Sequence, residues 1–87
     1  MQIVYTAHFI KVYRKIPQEI KIMAEHKEVL FKTNPFDTRL KTHRLHGILK
    51  GCWVFSVNYQ YRIIFDSNAT KTMAIFHTIG NHDIYEK

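Results

Sequence analysis

At Asn34-Pro35 the spacing of apolar residues changes from helical to strand-like, and this one switch decides what the chain can fold into. Before it, Ile16, Ile20, Met23, Ala24, Leu30 and Phe31 recur at about 3.6 residues and make one apolar stripe. Lys27 interrupts that stripe, with a stem long enough to cover apolar surface while its charge stays in water. Lys21, Glu25 and Glu28 take much of the opposite side. After the switch, Trp53, Phe55, Val57 and Tyr59 alternate with Val54, Ser56 and Asn58, the period of two of a strand with one mainly buried face. Pro35 cannot continue a helix and restricts Asn34, so the helical part ends there. Helices followed by a run of strands specify an α+β fold.

The punctuation places the remaining elements. Gln2, Ile3, Val4 and Tyr5 read as a short strand, and Thr6 is a helix N-cap for a helix to about Lys15. Pro17 suits the first turn of a second helix, with Glu19 near its positive end, and the two helices form a hairpin. Asn58-Tyr59-Gln60 is a tight connection into a strand over 61–66. The polar break at 66–70 leads to a last strand over 73–79, which Gly80-Asn81 ends. The expectation is β-α-α and then a three- or four-stranded antiparallel meander. The 87 residues, 1–87, make one domain with one core.

Thirteen Lys and Arg against seven Asp and Glu give a net charge of +6, which attracts nucleic acid, an acidic protein or an anionic surface. Lys32, Arg39, Lys41, Arg44 and Lys50 concentrate before and within the first long strand, beside histidines. No apolar run approaches the roughly 20 residues of a membrane-spanning helix, so no membrane partner is expected. The N-terminus lacks the pattern of a secretory signal. Cys52 is the single cysteine, which fits a small core hydrophobe in a reducing cytoplasm.

The residues able to do chemistry lie in or beside the strands. Arg62 alternates with Tyr61, Ile63 and Phe65, so it shares the opposite face with Ile64. There it either pairs with Asp66 or a Glu, or offers its planar fork to two phosphate oxygens. His43 and His46 precede the long strand, and His82 follows the Gly80-Asn81 turn. Histidine titrates near neutrality, so a pair can serve as general base and general acid in one turnover. His8 and His26 fall on helices, and His77, inside a strand, reads as packed or hydrogen-bonded. His43-x-x-His46 with His82 also has the residue types of a metal site, but without a Cys pair or acidic cluster the signal is weak, and no metal or other cofactor is expected. Two histidines, a strand arginine and a basic surface suggest a ribonuclease.

The runs L-x-G-x-L-x-G-x-W at 45–53, YRIIF at 61–65 and GNHD at 80–83 resemble the RelE/ParE superfamily of bacterial and archaeal toxins, in particular its RNA-cleaving RelE, YoeB and YafQ branch. The likeness covers nearly the whole chain. It implies two helices packed on a twisted antiparallel sheet with a cleft on the exposed face. It also implies a toxin of a type II toxin–antitoxin system, held inactive in a hetero-oligomer with a cognate antitoxin. Free members of that branch enter the ribosomal A site and cut messenger RNA without a metal. The ribose 2′-hydroxyl attacks the adjacent phosphate and leaves a 2′,3′-cyclic phosphate and a 5′-hydroxyl.

Carried over by position, Arg62 resembles the strand arginine that contacts the phosphate in the RelE and YoeB types. His82 is similar to the C-terminal proton-transfer histidine of YoeB and YafQ, and His43 to another catalytic histidine of YafQ. Tyr85 resembles a C-terminal aromatic that stacks on a base or positions the phosphate. His43 and His82 would then be base and acid, or the reverse, with Arg62 and Lys50 stabilising the transition state. Lys41, Arg44, His46 and Lys50 are the candidate RNA contacts. The paired lysines of the RelE strand fall at Trp53 and Phe55, and two polar YafQ positions fall at Ser56 and Gln60, which cannot act as that acid or base. Two alternatives stand beside this reading: a ParE-like DNA gyrase inhibitor, and a non-catalytic relative that only binds antitoxin or nucleic acid.

Overall fold

A computed structural model describes residues 1–46, 51–81 and 84. In chain order the elements are β1 (Gln2–Tyr5), α1 (Ala7–Tyr13), α2 (Gln18–Thr33), a 3-10 turn (Thr38–Leu40), β2 (His43–Arg44), β3 (Trp53–Ser56), β4 (Arg62–Ser67) and β5 (Met73–Gly80). Thr6 caps α1 as its sequence position implies, its hydroxyl accepting from Phe9 N–H at 3.0 Å. Its own amide and hydroxyl donate to the carbonyls of Phe76 and His77, so the cap also ties the helix to β5. Pro17 sits just ahead of α2, and Asn34 ends it.

The five strands lie in the order β1-β5-β4-β3-β2. Strands β2 to β5 form the antiparallel meander in its four-stranded form. β1 departs from the expected all-antiparallel sheet: it runs parallel to β5, Gln2 beside Met73 through Tyr5 beside Phe76, and makes the sheet mixed. Between Ile64 and Phe65 the β4–β5 register shifts, so that Ile64 faces Thr78 while Phe65 faces Phe76. His77 is the extra residue of this bulge, half-buried, with its carbonyl on Thr6.

Both helices cover one face of the sheet. Phe9, Ile20, Ala24 and Phe31 from the helices meet Phe55, Ile63, Phe65, Phe76 and Ile79 from the strands and Val57 just past β3. Phe31 is fully buried and touches three rings, Phe55 at 5.0 Å, Phe65 at 4.8 Å and Phe76 at 5.3 Å. Two residues expected in the apolar faces are exposed instead. Met23 turns outward from α2, where its sulfur accepts a long bond from Asn58, and Tyr59 stands 86% exposed at the tip of the β3–β4 turn, past the end of the paired strand. Burial of the other sheet face is local, with Val54 and Ile64 both enclosed.

Candidate active site

The face of the sheet away from the helices is set by strand parity. Val54 and Ser56 on β3, and Arg62 and Ile64 on β4, alternate with core residues and therefore share it. The Asn58 side chain closes the intervening turn by accepting from the amides of Gln60 and Tyr61. Val57 N–H donates to the Tyr61 carbonyl, and one step outward Ser56 stands opposite Arg62. The Ser56 hydroxyl accepts from Arg62 Nη1 at 2.7 Å. Ser56 is 8% exposed and Arg62 half-buried, so the guanidinium is anchored and partly withdrawn from water. On its other side Arg62 faces Gly80, where the Ile84 side chain fills the space that a Cβ would take.

His43 opens β2 at the sheet edge and pairs with Val54, placing it on the same face as Arg62. Its Nδ1 lies 2.9 Å from the Lys41 carbonyl. A carbonyl only accepts, so Nδ1 carries the hydrogen and the neutral ring presents a basic Nε2. Lys41 holds that carbonyl from a left-handed backbone conformation, φ 54°, at the end of the 3-10 turn. Two strands across and two residues along separate the Cα atoms of His43 and Arg62 by about 12 Å, at ordinary strand spacings.

The other candidates distribute unevenly. Arg44, next to His43 in sequence, pairs with Trp53 and so projects to the helix side, its guanidinium 5.1 Å above the Trp53 ring. The Lys41 and His46 side chains are exposed on either side of β2. Lys50, His82 and Tyr85 lie outside the described residues. Among the described residues no three His, Cys, Asp or Glu side chains gather as a group able to hold a metal. Burial, with the charge of Asp66 adding to it, pushes the Cys52 thiol up from its ordinary pKa, which disfavours a thiolate nucleophile. Ser56 is the site residue that sequence reasoning set aside. A serine there cannot serve as the acid or base, and its hydroxyl holds the arginine instead.

No protein-family model and no curated protein matches this chain. Solved structures do. A YoeB/ParE toxin from Agrobacterium tumefaciens superposes with a TM-score of 0.78 at 16% identity over 94% of this chain and 99% of its own. YafQ from E. coli gives 0.78 at 18% identity over 95% and 94%. RelE in the archaeal RelE–RelB complex from Pyrococcus horikoshii gives 0.74 at 12% identity over 92% of each. The chain has the α+β fold of the RelE/ParE-like toxins, two helices on a five-stranded mixed sheet.

Proposed function

We propose that this protein is the toxin of a type II toxin–antitoxin pair and acts in the cytoplasm as an endoribonuclease on messenger RNA in the ribosomal A site. The observation that carries the reading is the pairing, on one face of this fold, of a serine-anchored Arg62 with a His43 whose Nε2 is left basic. His43 Nε2 takes the 2′-hydroxyl proton, and the oxygen attacks the adjacent phosphorus. As the bond to the 5′-oxygen breaks, His82 protonates the leaving oxygen, giving a 2′,3′-cyclic phosphate and a 5′-hydroxyl. Arg62 donates to the phosphate oxygens as charge builds, a half-buried cation held by Ser56. Each proton transfer is worth roughly 10² to 10⁴ in rate. No step calls for a metal. RelE of Pyrococcus horikoshii is bound to RelB, which supports an antitoxin partner for this chain.

Cleavage-site mapping on messenger RNA in a purified translation system tests the reading, with the wild type beside Arg62→Ala and His82→Ala. Cuts in the A-site codon that carry cyclic-phosphate ends and vanish in both variants are expected. Intact message with folded wild-type protein refutes it and directs attention to gyrase inhibition.

A further inference from the structure

Among the described residues, two cavities that open on the helix side of the sheet differ in the charge of their walls. The larger, about 360 Å³ between α1 and α2, carries the carboxylates Glu25 and Glu28 against the single guanidinium of Arg14, and Glu28 accepts a 2.5 Å bond from the Tyr5 hydroxyl. A polyanion is disfavoured there. The smaller, about 210 Å³, has Phe36, Trp53, Phe65, Ser67 and Lys71 in its wall and, among the described residues, no carboxylate. Phe36 is 48% exposed and meets Trp53 edge to face at 5.2 Å, and the Arg44 guanidinium lies over the same indole. Asp37, the acid next to Phe36, is engaged in a two-pronged pair with Arg39.

We propose that this slot seats one base of the same single-stranded RNA, with Arg44 and Lys71 on its flanking phosphates; the proposal rests on the ribonuclease reading above. The volume lies below the roughly 300–1,000 Å³ of pockets that enclose a drug-sized ligand, so it accommodates a planar ring and leaves sugar and phosphate outside, among the cations. Aromatic faces and guanidinium planes stack unpaired bases irrespective of sequence. The path is short. β2 is two residues long and forms the sheet edge, sending His43 to one face and Arg44 to the other. RNA leaving His43 crosses one strand to reach Trp53. Arg44 thus binds RNA on the side opposite the catalytic face, around the edge from Arg62.

Trp53 is the chain's single tryptophan, so its fluorescence reports the slot directly. A short single-stranded RNA with 2′-O-methyl riboses, which cannot undergo 2′-hydroxyl attack, is titrated into the wild type, Phe36→Ser and Lys71→Gln, with binding followed independently by anisotropy of an end label. Quenching of Trp53 is expected, and Phe36→Ser should weaken binding about tenfold. On cleavable message its loss should fall on KM rather than kcat, and Lys71→Gln should flatten the salt dependence. RNA that binds by anisotropy and is cut normally, without quenching and equally well by Phe36→Ser, overturns the slot and leaves the nuclease standing. Quenching without cleavage supports the slot and removes the nuclease. Adenosine monophosphate that quenches as strongly as the RNA at equal concentration overturns the strand path. Absence of both binding and cleavage overturns both.

Discussion

Replacing Ser56 by alanine isolates what the anchor contributes to Arg62. The hydroxyl is 8% exposed and accepts from Nη1 at 2.7 Å, so the substitution removes one hydrogen bond to a cation and opens almost no space. Such bonds contribute about 1.5–3 kcal/mol, and a half-buried guanidinium recovers part of that from water, leaving a loss near 1.4 kcal/mol, about tenfold in cleavage rate. Removing the guanidinium itself with Arg62→Ala should cost about 10² to 10³ in kcat, the scale of one oxyanion-stabilising donor. Because Ser56 acts through Arg62, the double variant should cleave no more slowly than Arg62→Ala alone. Single-turnover cleavage of all four proteins gives the cycle, with urea unfolding to confirm that each is folded. A further tenfold loss from Ser56→Ala in the Arg62→Ala background would refute the anchoring argument and give Ser56 a role of its own.

Phe31→Ala should cost about 3–5 kcal/mol, because Phe31 is fully buried against three rings, and urea denaturation showing under about 1 kcal/mol would contradict its central place. At Gly80 an added Cβ would stand 2.5 Å from the Ile84 Cγ2 methyl, so Gly80→Ala should displace Ile84 and lower cleavage at least tenfold, a change in barrier of about 1.4 kcal/mol. Wild-type rates from that variant would dissociate the turn after β5 from catalysis. Burial raises the Cys52 thiol, so it stays protonated at neutral pH and should react slowly with iodoacetamide at pH 7 and faster as pH rises toward its folded value. The stability tied to that raised value is present below the unfolded thiol's titration and lost above the folded one; rapid alkylation of folded protein at pH 7 would contradict it.

The placement of Arg62 opposite Ser56 was within reach of the sequence through parity and turn length. Alternation put Arg62 opposite Tyr61, Ile63 and Phe65, and the three-residue connection at Asn58, Tyr59 and Gln60, counted outward, pairs Ser56 with Arg62. The same counting did not extend to β2. The connection from β2 to β3 has no defining turn signal, so sequence grouped Arg44 with Lys41 and His46, and only the pairing of Arg44 with Trp53 turned it to the helix side. Met23 fitted the helical stripe by spacing, but α2 buries only a narrow strip against the sheet, of Ile20, Ala24 and Phe31.

Local chemistry in the sequence determined the elements: the period change at Pro35, the Thr6 cap and the polar breaks act over a few residues and need no distant partner. Tertiary structure decided what depends on contacts far apart in the chain. A short apolar strand at residues 2–5 can join either edge of a sheet in either direction, and its parallel seat on β5, more than 70 residues away, follows from helices that cover one face and return the chain to that side. The bulge at His77, the tie from Arg62 to Ser56 across β3 and β4, and the slot beside Trp53 arise from that assembled register, because a strand pairing or ring contact has no counterpart until both partners are in place.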